Sequence, residues 1–144
     1  MMRMKFAAIL LFLIGAALLP AVTSAQGVTE SVTSGDVEVM SGGQAYQSYL
    51  AAPDADGVYP GIVLIHSFNG LEDGYKTMVD QFAAEGYVVL AVGWQTFERS
   101  PSDDTVKQLV EDSVAFLTAR DDVDAERLGL TGFCAGGRYT MLLL

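Results

Sequence analysis

Three short, largely apolar runs constrain this chain more than any other feature: residues 61–65 (GIVLI), 87–92 (YVVLAV) and 127–133 (RLGLTGF). A strand with one wet face alternates polar and apolar residues. Runs without that alternation fit strands covered on both faces, as in a parallel sheet with helices above and below. Between the first two runs, residues 75–85 place Met78, Val79, Phe82 and Ala83 on one face at helical spacing, and Gly86 follows as a stop. Between the second and third, Ser102 stands as an N-cap. Asp103 and Asp104 follow in the first turn, where negative charge suits the helix dipole. Apolar positions at Val106, Leu109, Val110, Val114 and Leu117 carry that helix to about Arg120. Upstream, residues 28–42 and 44–52 alternate as two hairpin arms around Ser41, Gly42 and Gly43. Residues 121–126 (DDVDAE) read as a solvated turn, and the chain is helical again from Ala135. Strand and helix therefore alternate after a hairpin, which predicts an α/β sheet.

The first 25 residues read differently. Arg3 and Lys5 precede a run of apolar and small residues from Phe6 to Leu19, and Thr23, Ser24 and Ala25 loosely fit a small-x-small cleavage site. That order predicts a secretory signal peptide over residues 1–25 and a secreted or periplasmic product, with an uncleaved membrane anchor as the alternative. Residues 26–144 hold six Lys and Arg against all 18 Asp and Glu. Such acidity argues against nucleic acid as a partner and against stable association with an anionic membrane after cleavage. It leaves the oligomeric state open. The segment is one domain at most by length. One cysteine cannot build an internal disulfide framework, so an exported chain that keeps a thiol calls for a reason. Burial as an inert, small apolar side chain is the plain one.

The surroundings of that thiol supply a better one. Gly132-Phe133-Cys134-Ala135-Gly136 is G-x-C-x-G, on an apolar run leading directly into a helix. This is the pattern of a nucleophile elbow, a tight turn with sulfur in place of hydroxyl. The neighbours two before and two after must be small for strand and helix backbones to approach, and Gly132, Gly136 and Gly137 meet that need. The turn sets the side chain at a helix N-terminus, where unpaired N–H groups and the dipole favour negative charge such as a thiolate. The N–H of Ala135 points toward a developing oxyanion. Other glycine-rich readings fail on spacing. Gly132, Gly136 and Gly137 do not form G-x-G-x-x-G, and Arg138 follows Cys134 by four residues, where a phosphatase loop needs six.

With HSFNG after the first apolar run, FAAEGYVVLAV in the middle and GFCAGGR at the elbow, the chain from about Gln44 to Leu144 resembles the dienelactone hydrolase family of α/β-hydrolases. The resemblance implies a mostly parallel α/β-hydrolase sheet, residues 26–144 being its N-terminal portion up to and just past the elbow. It also implies hydrolysis of small-molecule esters or lactones with Cys134 as nucleophile and no cofactor or metal. Family members complete a triad with an acid and a His later in the chain than the nucleophile. A chain ending at Leu144 is therefore expected to be inactive, with an uncovered apolar edge along residues 127–133.

By the same analogy Phe68 offers its backbone N–H to the oxyanion hole. His66, the sole histidine, shapes the oxyanion loop, with a role as base as the alternative. Ser67 stands where family members often carry a Glu that contacts the resting thiol. Gly93-Trp94 replaces the Pro-Asp that often opens the loop after the second strand. Asp121, Asp122 and Asp124 precede the third run and lie too far from the elbow to serve as the triad acid. Arg99 reads as a surface residue rather than a substrate contact, and Arg138 as a fastener of loops. Two rival readings remain: a non-catalytic α/β binding module that keeps the glycine turn for packing, and a peptidase-like or polysaccharide-esterase-like hydrolase.

Overall fold

The computed structural model describes residues 31–143. The expected signal peptide, residues 1–25, lies outside the described residues. Eight elements follow in order: β1 (Val32–Ser41), β2 (Gln44–Pro53), β3 (Tyr59–Ile65), α1 (Asp73–Ala84), β4 (Val88–Val92), α2 (Asp103–Thr118), β5 (Val123–Gly132) and α3 (Ala135–Leu143). The strands form one sheet in the order β1-β2-β4-β3-β5. β1 and β2 are the predicted hairpin, in unbroken register from Val32 opposite Pro53 to Ser41 opposite Gln44. Gly42 and Gly43 both take positive φ at its turn, which is the conformation glycine supplies without strain. β2 joins β4 antiparallel, and β3 runs parallel to both β4 and β5.

Layering follows from the period of two along each strand. On one face Leu64, Val89 and Ala91 pack with Ala51 against Val79 and Ala83 of α1. On the other, Val63, Ile65, Val88, Leu90 and Val92 meet Val106, Leu109, Val110 and Leu117 of α2 and Tyr139 of α3. β4 is buried at every position because both its faces are covered, which is why its sequence lacks alternation. Deleting such a side chain, as in Leu109→Ala, costs about 2–5 kcal/mol by loss of transfer energy and by the cavity left behind. The α2 cap forms as expected, with Ser102 Oγ accepting from Thr105 N at 3.1 Å.

One expectation about the third apolar run needs correction. β5 begins at Val123, not Arg127, so Asp124 lies within the strand rather than in a turn. Its register to β3 shifts between Pro60 and Gly61: Asp124 pairs with Pro60, but Leu128 pairs with Gly61. Residues 125–127 therefore bulge out, which is why the stretch reads as a turn. The uncovered edge expected along residues 127–133 is present. β5 lies at the edge of the described sheet, most of its residues are exposed or half-exposed, and Leu128 is 38% exposed. The apolar letters show that the strand suits a covered position, but burial depends on what lies beside it.

Candidate active site

The parallel strands end on one rim. Ile65 pairs with both Val92 and Gly132, so the segments after β3, β4 and β5 emerge side by side. They are His66–Gly70, Gly93–Arg99 and Phe133–Ala135. Loops at the carboxyl ends of parallel strands are where α/β sheets build their sites.

Cys134 occupies the turn between β5 and α3, is exposed, and takes φ of 54°. Among the described residues it is the one non-glycine with positive φ, a conformation that costs an L-residue about 1–3 kcal/mol and persists only where neighbouring structure imposes it. The imposing contacts are visible in the glycines. A Cβ at Gly132 would lie 2.3 Å from the carbonyl oxygen of Gly136, and one at Gly136 would lie 2.0 Å from that of Ile65. Both approaches are to backbone, so neither neighbour can swing aside. Gly137 differs from expectation: its Cβ would make only an ordinary contact at 3.4 Å, so the elbow does not require glycine there. Phe133 N donates to Ile65 O at 3.1 Å, which ties the elbow to β3, and Gly136 N donates to Phe133 O at 2.9 Å, which closes the turn around Cys134. Ala135 opens α3, so its N–H belongs to the first turn, where the helix offers no acceptor.

The loop after β3 is equally constrained. His66 is buried and stacks on Trp94, with ring centroids 5.4 Å apart and 27° between planes. Its Nδ1 lies 2.7 Å from Ser67 O and so carries the proton that this carbonyl accepts. Burial holds the imidazole below its ordinary pKa, outweighing that hydrogen bond, so His66 is neutral at pH 7. The geometry is that of a ring used to pack and shape the loop. Ser67 N donates to the Tyr75 hydroxyl at 3.2 Å, and Ser67 Oγ accepts from Asn69 N at 3.2 Å. Phe68 is exposed, and its carbonyl accepts from Gln95 Nε2 at 3.3 Å.

Other polar residues fall elsewhere. Arg99 is exposed, as expected of a surface residue, and lies over the Phe68 ring at 4.5 Å in a cation–π contact. Arg138 makes a two-pronged ion pair with Asp103 at 2.7 Å per prong and fastens α3 to the first turn of α2. That pairing holds the Asp103 carboxyl below its ordinary pKa. Asp122 and Asp124 pair with Arg120 and Arg127 at the opposite end of β5, beside Tyr59 and Pro60. An open depression of about 620 Å³ also lies at that far rim, between Asp54 and Asp121, and shares no residue with the elbow. A depression of about 600 Å³ borders Phe133 and is lined by Tyr75 and Met78 with Glu72 and Asp73 at its margin. Among the described residues no group of three or more His, Cys, Asp or Glu is placed to hold a metal.

In the sequence Trp94 stands out only as a departure from the family's Pro-Asp, and Gln95 and Tyr75 carry no assigned role. Their signal is positional: residues that directly follow one buried parallel strand share a rim with those that follow its neighbours.

The family model of the dienelactone hydrolase family matches residues 46–93 and 93–144, a span that takes in the β3 loop, the β4 loop and the elbow. The chain belongs to the dienelactone hydrolase family. A Bradyrhizobium protein named "Probable 2-oxo-3-(5-oxofuran-2-ylidene)propanoate lactonase" is 27% identical over 129 residues, covering 79% of this chain and 52% of the relative. "Protein usf" of Aquifex pyrophilus is 30% identical over 123 residues, covering 73% and 52%. A solved structure from Klebsiella pneumoniae superposes with TM-score 0.70 at 25% identity, covering 79% of this chain and 55% of that one. A dienelactone hydrolase-like promiscuous phosphotriesterase from metagenomic libraries shares the fold, with TM-score 0.67 at 20% identity. The chain spans about half the length of the curated relatives it matches.

Proposed function

We propose that this member of the dienelactone hydrolase family carries the nucleophile of a carboxylic ester or lactone hydrolase, with Cys134 as the attacking group. The observation that carries the reading is the exposed Cys134 at φ 54°, pinned between two glycine contacts that tolerate no Cβ and set at the N-terminus of α3. A strained turn that presents a single thiol to solvent is a poor way to pack a structural cysteine and a good way to aim a nucleophile.

In this reading the Cys134 thiolate adds to the carbonyl carbon, forming the S–C bond as the carbonyl π electrons move to oxygen. The N–H groups of Ala135 and Phe68 hold that oxyanion. Losing one such donor in a working site costs about 10²–10³ in rate. Collapse breaks the C–O bond, the alkoxide leaves and takes a proton from solvent, and an acyl-thioenzyme remains. Water then releases the acid and restores the thiol. That second step needs a base, and the one imidazole of this chain is buried and engaged with Ser67. His66 is therefore not placed to serve as that base. The Bradyrhizobium relative, a lactonase by name, supports a lactone or ester of small-molecule size. Export is part of the proposal and rests on the basic and apolar pattern of residues 1–25.

The test is a pre-steady-state reaction with p-nitrophenyl acetate. One equivalent of p-nitrophenolate per chain and an acetyl group on the Cys134 peptide are expected, with neither in Cys134→Ala. An equal burst in Cys134→Ala would refute the assignment. A Cys134 inert to both ester and iodoacetamide would favour a binding module.

A further inference from the structure

Family members often open the loop after β4 with Pro-Asp, and this chain has Gly93-Trp94-Gln95. The structure shows what the replacement does. A Cβ at residue 93 would lie 1.6 Å from Gln47 O, so proline has no room there. Gly93 N also donates to Ser48 Oγ at 3.1 Å, a bond that proline cannot make. The root of the loop is thus fixed to β2, and its next two residues reach across to the loop after β3. Trp94, 2% exposed and held between the His66 and Tyr139 rings, donates its Nε1–H to His66 O at 3.1 Å. Gln95 donates from one Nε2 to Phe68 O at 3.3 Å and to Arg99 O at 2.8 Å. Between the His66 and Phe68 carbonyls, Ser67 N donates to the Tyr75 hydroxyl, and beyond them Asn69 N donates to Ser67 Oγ. The groups on both sides of the Phe68 amide are consumed, while the amide itself is the one the reaction needs.

We infer that Trp94 and Gln95 are positioning residues for the oxyanion hole. They clamp the carbonyls of His66 and Phe68 so that the Phe68 N–H faces the acyl oxygen of a substrate held at Cys134. This rests on the nucleophile assignment proposed above and deepens it. The two residues touch no substrate; they hold the donor in place so that no reorganisation is needed when charge develops.

Two reactions of the same sulfur separate this role from a merely structural one. Acylation by p-nitrophenyl acetate forms S–C, breaks the C–O bond and expels p-nitrophenolate, passing through an oxyanion. Alkylation by iodoacetamide forms S–C, breaks C–I and expels iodide, with no oxyanion on the path. Gln95→Met and Trp94→Phe in the 144-residue chain should each slow single-turnover acylation about tenfold or more. Alkylation should stay within about twofold of the parent, as expected if the thiol and elbow are undisturbed. Acylation within twofold of the parent in both variants would overturn the inference. So would a parallel fall of both rates, which marks damage to the elbow itself. Acylation that persists in Cys134→Ala would overturn the nucleophile assignment and this inference with it, and that control separates the two failures.

Discussion

Gly136→Ala is the most direct test of why the elbow has its shape. The new Cβ would stand 2.0 Å from the carbonyl oxygen and 2.7 Å from the carbonyl carbon of Ile65, and 2.8 Å from His66 O. Carbon–oxygen contacts need about 3 Å or more, so α3 and β3 must part by about 1 Å. β3 cannot yield easily, because it is hydrogen-bonded to β4 on one side and β5 on the other. α3 must then move, and it carries the buried Tyr139, whose ring meets Trp94 at 5.3 Å. Overpacking of this kind costs about 3 kcal/mol at the upper end of its usual range. Replacing a helical glycine by alanine returns up to about 1 kcal/mol. The net is a loss of about 2 kcal/mol. With a urea slope near 1.5 kcal/mol/M, the unfolding midpoint should fall by about 1–1.5 M. Gly137→Ala is the matched control one residue on. Its Cβ meets nothing closer than 3.4 Å, so its midpoint should equal or exceed that of the parent. Urea titrations of the three proteins, followed by circular dichroism, give the order. A Gly136→Ala midpoint at or above that of the parent would refute the claim that close backbone approach holds the turn.

Three other outcomes follow. Because burial lowers the pKa of His66 from 6.5, the unfolded chain binds a proton below that pH that the folded chain refuses. Stability is therefore full above about 6.5 and falls as pH drops through that value, by up to about 1.4 kcal/mol per pH unit until the folded-state pKa is reached. His66 is the sole histidine, so urea midpoints measured from pH 7 to 5 should lose that slope in His66→Gln, and an unchanged slope would assign it elsewhere. Ser102→Ala removes the oxygen that caps Thr105 N and should cost about 1 kcal/mol by thermal or urea unfolding; no loss would mean that the cap is replaced by solvent. The exported protein should begin near Gln26 on N-terminal sequencing, and retention of Met1 would point to an uncleaved anchor.

Local chemistry made much of this protein legible in its sequence. The hairpin turn at Gly42 and Gly43, the Ser102 cap and the β3 and β4 strands each depend on residues within a few positions of one another. The elbow was legible for the same reason, since G-x-C-x-G is a statement about five consecutive residues. The tertiary structure decided what depends on distant neighbours. How far β5 is covered depends on whatever packs alongside it: its letters suit a covered strand, and the uncovered edge expected along residues 127–133 is what the described sheet shows. Gly137 looks like Gly136 in the sequence, but only Gly136 faces the backbone of β3, 71 residues away in the chain. His66 was a lone histidine beside a lone thiol until Trp94 and Ser67 O occupied its ring face and its Nδ1. Trp94 and Gln95 carried no motif. They matter because parallel pairing of β3 and β4 ends both strands on one rim, and that register is a property of the sheet rather than of either segment.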